Sequence, residues 1–349
     1  MSIRSGFVLA AVLLSAAPLG RAAEQEPPQS PNQPPPGGEV IPSPTTPQSL
    51  SHLEPIIDEV VVEAAQPRYV APTLRDSIGR IWAPVFINGK GPFRLVLDTG
   101  ATRSALLPRV ARALQIPMQA ATMRVHGVTG STDVSTVDVH QLEVGDLLMK
   151  STRLPIVPDV FGGADGVLGN EALGDKRIFI DFRKDRIEIS TSHSQRPGVG
   201  MSKIPLKLTR GLLSFQTNIG SVATTAVIDT GAQRTIGNQA LRTALNRRQR
   251  NWEQEEIIGV TLDVEKGDSI PTPAIKFGRA TISGVRVTFT DTAIFDHWGL
   301  TKEPALLLGM DVLGLLDVLV IDYKTQELHV RFRGPSLDTH RLRDTIIKD

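Results

Sequence analysis

The chain has 349 residues, 40% of them hydrophobic and 21% charged, with a net charge of +1. That is apolar mass enough for two hydrophobic cores, and the balanced charge gives no reason to expect a nucleic-acid partner. The absence of cysteine removes disulfides, a thiolate nucleophile and the thioether of a lipoprotein anchor.

In chain order, Arg4 precedes an apolar stretch over residues 7–14, and small residues follow at Ser15-Ala16-Ala17 and Gly20-Arg21-Ala22-Ala23. This is secretory-signal architecture, expected over residues 1–23 with cleavage after Ala22 or Ala23. The apolar stretch falls short of the roughly 20 residues of a membrane span. No stable membrane insertion is expected beyond this segment, and an uncleaved anchor is the less favoured alternative. A bacterial periplasm, or secretion, is the expected location.

Residues 24–55 are rich in Pro, Gln, Ser and Gly, including Pro34-Pro35-Pro36-Gly37-Gly38. They carry too few apolar residues for a core and read as a disordered or polyproline-like linker. A spacer is preferred to a cleavable propiece. Residues 56–79 form an N-terminal extension for which the propiece reading stays open. Residues 80–195 and 196–333 then read as two lobes, and 334–349 as a tail.

The body reads as mostly β. Runs at Trp82–Ile87, 93–97, 134–144, 178–182 and 285–289 are β-branched or aromatic and punctuated by Gly, Asp and Asn. Helices are expected at Pro108–Leu114 and 238–245, with short turns after Gly169 and Gly309.

The chain repeats itself. Leu95-Val96-Leu97-Asp98-Thr99-Gly100-Ala101 returns as Ala226-Val227-Ile228-Asp229-Thr230-Gly231-Ala232. Val167-Leu168-Gly169 returns as Leu307-Leu308-Gly309, and Gly127-Val128-Thr129 as Gly259-Val260-Thr261. Gly89 and Gly220 each close a short strand nine residues before their aspartate. A repeat of roughly 130 to 140 residues is far above solenoid periods and signals two similar lobes. Pseudo-twofold symmetry would bring Asp98 and Asp229 together at the lobe interface.

Two close carboxylates that share a proton and hold one water between them can hydrolyse an amide without a metal or a covalent intermediate, one as base and the other as acid. The neighbours suit that role. Thr99 and Thr230 can hydrogen-bond across the interface, while Gly100 and Gly231 allow a tight turn with N–H groups aimed at the carboxylates. Leu168-Gly169 and Leu308-Gly309 would pack beneath the two Asp-Thr-Gly loops as rigid support.

On these motifs, over residues 80–332, the chain resembles the retropepsin-like aspartic peptidases in their single-chain, two-lobe exported bacterial form. The resemblance implies a bilobal fold of two duplicated β-barrel-like lobes around a cleft, with Asp98 and Asp229 as the catalytic pair. It implies no cofactor and no metal. It also implies a Gly-bearing hairpin flap at residues 125–131, with Gly127, Val128, Thr129 and Gly130 facing substrate. The longer, more charged counterpart at 259–267 is either a flap or a surface hairpin. Ala101 and Ala232 stand where pepsin-like enzymes commonly carry a hydroxyl residue, so an outer hydrogen bond to the ionised dyad is missing and a less acidic optimum than pepsin's is expected. Activity confined below about pH 3 would contradict this.

An aspartic endopeptidase acting on extended polypeptide is therefore the favoured reading. Two half-sites per chain make a monomer sufficient for it. A catalytically silent peptide-binding protein of the same fold is the rival, and a latent form with residues 53–70 in the cleft is a third possibility. His126, His193 and His297 lack metal-ligand spacing and read as surface or packing residues. The basic cluster Arg242, Arg247-Arg248 and Arg250, followed by Glu253, Glu255 and Glu256, reads as a solvated helix end or loop.

Overall fold

The computed structural model describes residues 7–9, 69–72, 79–171, 173–245 and 252–332, the first two segments as backbone. Most of the expected leader, the linker and the tail lie outside them.

The first lobe is built on a hairpin of Trp82–Ile87 and Lys90–Leu97, turned at Asn88-Gly89, both with positive φ. Gly166–Leu168 lies parallel to the inner strand, pairing Leu95 with Gly166, Val96 with Val167 and Leu97 with Leu168. Where the strand is paired on both edges and covered on both faces it must be apolar, and Leu95, Val96 and Leu97 are all buried. The sheet continues through Ala105–Leu106, Gly130–Val144, Gln119–Gly127 and Leu147–Pro155.

The second lobe repeats this plan. Leu212–Ile219 and Val222–Ile228 form the hairpin, turned at Gly220 with φ 59°. Ala305–Leu308 lies parallel to the inner strand, pairing Ile228 with Leu308. Ile236–Gly237, Arg286–Phe289, Val264–Pro271 and Glu253–Ile258 complete one side of the sheet. The backbone of Phe7–Leu9, inside the expected leader, pairs parallel with Glu256–Ile258.

Short helices follow each aspartate loop. Pro108–Leu114 starts on a proline, whose fixed φ suits the first helical turn, and ends at Gln115 in the left-handed conformation. Gln239–Ala244 is capped by Asn238, whose Oδ1 accepts the Leu241 N–H at 2.8 Å. A third helix, Ala293–Trp298, was not expected. Its six residues are fewer than two turns, and the periodicity that betrays a helix needs a longer window.

One six-stranded antiparallel sheet draws strands from both sequence halves. Its order is Ser202–Pro205, Glu327–Phe332, Leu316–Asp322, Lys176–Asp181, Arg186–Thr191 and Tyr69–Pro72. The join pairs Ile178 with Ile321 and Ile180 with Leu319. Tyr69 and Val70 pair with Ile189 and Glu188 at the edge of this sheet, and the rest of the segment over 53–70, raised as a possible occupant of the cleft, lies outside the described residues.

Candidate active site

Each aspartate follows the inner strand of its lobe. The Asp98 N–H donates to Leu168 O and the Asp229 N–H to Leu308 O, both at 3.1 Å, so the parallel strand holds the loop from below. Asn170 N–H donates to Ala101 O at 2.9 Å and Met310 N–H to Ala232 O at 2.8 Å, closing the loop on its far side. The apolar-apolar-Gly segments thus take the supporting place expected for them. Glycine is required there, because a Cβ on Gly169 would lie 2.4 Å from the Arg103 carbonyl carbon, and one on Gly309 2.6 Å from that of Arg234.

Within each loop, Asp98 Oδ1 accepts the N–H groups of Gly100 at 2.9 Å and Ala101 at 3.1 Å. Asp229 Oδ1 accepts those of Gly231 at 2.9 Å and Ala232 at 3.0 Å. Ala101 and Ala232, expected as active-site support and as the place of a missing hydroxyl, contribute through their backbone N–H groups. Thr99 and Thr230 bond across the interface in both directions: each hydroxyl accepts the other's N–H at 3.1 Å and donates to the carbonyl of Ile228 or Leu97.

Each carboxyl group lies against the glycine of the opposite loop. A Cβ on Gly100 would meet Asp229 Cγ at 2.7 Å, and one on Gly231 would meet Asp98 Oδ2 at 2.2 Å. The two carboxyl groups are therefore brought together, each with Oδ1 held by amides and Oδ2 buried without a protein partner. Burial, which penalises the charged form, pushes Asp98 up to about 7 against the pull of the Asp229 carboxyl beside it, the Gly100 N–H and the charge of Arg80. Burial raises Asp229 well above the ordinary range, and the charge of Asp98 beside it adds to the rise.

The structure adds residues that the sequence reading missed. Ser104 N–H donates to Glu171 Oε1 and the Ser104 hydroxyl accepts from Gly169 N–H. Thr235 repeats this with Asp311 and Gly309. Glu171 and Asp311, each two residues after the glycine of the supporting motif, thus brace the loops; burial raises the pKa of Asp311. Their matching positions in the two repeats were the available signal. Arg80, 1% exposed, gave no such signal because it has no cationic counterpart in the second repeat.

The expected flap is a hairpin of Gln119–Gly127 and Gly130–Val144 with Val128-Thr129 at its tip. Its counterpart is the hairpin of Glu253–Ile258 and Val264–Pro271. The two tips touch: Thr129 Oγ1 and Thr261 Oγ1 are 3.0 Å apart, and a Cβ on Gly127 would lie 2.8 Å from a Val260 methyl. The second hairpin is therefore a partner of the first. The tips also exchange side chains. Val128 of the first lobe is buried in the second-lobe cluster of Val227, Ala232, Ile257 and Phe295, and Val260 of the second lobe in the first-lobe cluster of Trp82, Val96, Ala101 and Phe161. His126 on the first hairpin stacks on His297 of the third helix, ring centroids 4.6 Å apart. That pairing was invisible in the linear spacing of the histidines. Among the described residues no group of three or more His, Asp or Glu is gathered to hold a metal ion.

The duplication, the crossed threonines and the facing carboxylates agree with the comparison to known families, in which the aspartyl protease model matches residues 83–172 and 215–312. The chain belongs to the aspartyl protease family. The two matched segments contain the two Asp-Thr-Gly loops, so this member of the family carries both loops in one chain. A search among curated proteins finds no match.

Proposed function

We propose that the protein is an aspartic endopeptidase that hydrolyses peptide bonds of extended polypeptides with water activated between Asp98 and Asp229. The observation that carries this reading is the pair of buried carboxyl groups, each lying against the glycine of the opposite loop, with Oδ1 fixed and Oδ2 unpartnered. Two carboxyl groups in this arrangement hold one proton between them. The ionised carboxylate takes a proton from water as the oxygen attacks the peptide carbonyl, and the protonated carboxyl gives its proton to the carbonyl oxygen. Collapse of the resulting diol returns one hydroxyl proton to a carboxylate. The other carboxyl protonates the leaving amide nitrogen, and the C–N bond breaks.

Substrate enters as an extended strand beneath the two hairpins, its backbone pairing with their edges and its side chains filling alternate pockets. The substrate must displace Val128 and Val260 from the clusters they occupy, so apolar side chains flanking the cut would replace apolar contacts already present. The reading includes an exported, monomeric protein, supported by the leader-like sequence at residues 1–23 and the two half-sites per chain.

The test is cleavage of a denatured protein and a mixed peptide library from about pH 4 to 8, with Asp98→Asn and Asp229→Asn beside the parent. The expected result is cleavage by the parent and none by either variant. A folded parent that cuts nothing at any pH yet binds extended peptides would overturn the reading in favour of a silent binding protein.

A further inference from the structure

Resting on the endopeptidase reading, we propose that Arg80 is a positioning residue that breaks the twofold equivalence of the dyad, keeping Asp98 as the ionised, proton-accepting carboxylate and leaving the shared proton on Asp229.

The two lobes repeat the aspartate loops almost atom for atom but differ in what lies across the hairpin from each aspartate. In the first lobe Trp82 pairs with Val96 and Ala83 with Leu95, and the Leu97 N–H donates to Ile81 O at 2.9 Å. Continuing that register by one residue sets Arg80 opposite Asp98. In the second lobe Ser214 pairs with Val227 and Phe215 with Ala226. The same continuation sets Leu212 opposite Asp229. Residues directly opposite in an antiparallel pair project to the same face and are near neighbours. The register therefore sets an arginine opposite one aspartate and a leucine opposite the other.

Arg80 is 1% exposed, the largest of the fully buried side chains, and its guanidinium lies 6.0 Å from the centre of the Phe161 ring. A guanidinium does not give up its proton in a protein. Buried beside the Phe161 ring, it is a fixed positive charge out of water, and it favours a negative charge nearby. That field acts on Asp98, where it opposes the effect of burial. The backbone N–H groups of Gly100 and Ala101 on one side and of Gly231 and Ala232 on the other act alike on the two aspartates. Tyr323, a buried phenol whose ionisation is suppressed by burial and by the charge of Asp98, stays neutral, and the side-chain charge that raises Asp229 is that of Asp98. None of these supplies a positive charge to Asp229.

In the hydrolytic step this makes the roles unequal. Asp98 accepts the proton of the attacking water, and Asp229 donates to the carbonyl oxygen. In the second half Asp98 gives its proton to the leaving nitrogen, and Asp229 recovers one from the diol, restoring the starting pair.

The test compares pH profiles of kcat/KM on one peptide substrate for the parent, Arg80→Met and Arg80→Lys. Arg80→Met is expected to move the acidic limb up by about one pH unit, the least effect of removing an opposite charge at close range. Arg80→Lys is expected to bring most of it back. A uniform loss at every pH with an unmoved limb would show a merely structural role and overturn the proposal. A second measurement needs no variant at position 80: carboxyl-carbon NMR titration of the parent, with signals assigned through Asp98→Asn and Asp229→Asn. Asp98 is expected to ionise before Asp229, and the reverse order overturns the proposal. If the parent and both aspartate variants cut nothing, the endopeptidase reading fails, while the order of ionisation still decides the role of Arg80.

Discussion

Thr99 and Thr230 each stand in for the other's missing neighbour: the hydroxyl of one accepts the backbone N–H of the other and donates to the carbonyl immediately before the other's aspartate, at 2.8 Å to Ile228 and 2.7 Å to Leu97. All four bonds are buried and cross the lobe interface.

Replacing Thr99 by valine keeps the shape and removes the hydroxyl, leaving a buried carbonyl and a buried N–H unpaired. The expected cost is about 2–3 kcal/mol in urea unfolding, with Thr99→Ser costing under about 1 kcal/mol. Thr99→Val combined with Thr230→Val removes four different bonds and should cost close to the sum of the two single losses. A clear departure from that sum would show that the two loops relax together.

Gly231→Ala places a methyl group within 2.2 Å of Asp98 Oδ2. A displacement of even 1 Å in a catalytic group costs about 100-fold, so kcat/KM should fall at least that far. Gly174→Ala, where nothing lies within 4 Å of the added carbon, is the control and should leave both activity and stability unchanged.

The raised dyad makes stability depend on pH in a definite direction. A carboxyl whose folded pKa lies above its unfolded value binds more protons in the folded state, so stability is lost as pH rises between the two. For Asp98 that window runs from its ordinary 3.8 to about 7. Asp98→Asn should therefore raise Tm by about 3–6 °C at pH 8 and by much less at pH 4. A gain that is equal at both pH values would contradict the burial of the charged form.

The swapped valines hold the hairpins closed. Val260→Ala removes two methyl groups from the first-lobe cluster, about 1.5 kcal/mol at 0.8 kcal/mol per carbon, which makes opening about tenfold more frequent. Hydrogen exchange of amides at residues 127–130 should speed up by that factor, while the join at Ile178 and Ile321 should keep its protection.

Acid should loosen the same closure through the stacked histidines. His297 is lowered by burial first, then by His126 and Arg210, against an opposing pull from Asp296. A depressed histidine stabilises the arrangement that keeps it neutral, so the stack is intact above the ordinary histidine range and weakens as pH falls through it. Protection of the hairpin-tip amides, taken relative to their intrinsic base-catalysed exchange rate at each pH, should be weaker at pH 5 than at pH 8, and His297→Phe, which keeps a ring in place, should flatten that difference.

Much of the site was legible because it is written twice. Asp98 and Asp229, the threonines and glycines beside them, and the supporting glycines at 169 and 309 all occupy matching places in two repeats, so each half vouches for the other. Proline at 108 and asparagine at 238 marked the two helices through local chemistry alone. What the two halves do not share was harder to read. Arg80 is 18 residues from Asp98 and becomes its neighbour only through hairpin register, and its counterpart is a leucine. The contact of Val260 with the opposite lobe and the stacking of His126 on His297 join residues more than 130 positions apart and leave no local pattern. The second hairpin, longer and charged at its flank, could be recognised as a partner only when its tip was seen against Thr129.

The shared six-stranded sheet has a consequence for how the catalytic centre is kept whole. A centre assembled from two separate chains comes apart on dilution, and its specific activity then falls with enzyme concentration. Here Ile178 and Ile180 of one half are laddered to Ile321 and Leu319 of the other, and the same polypeptide runs through both. The encounter between the two aspartate loops is settled once, during folding, so on the proposed endopeptidase reading turnover per molecule should hold constant on dilution.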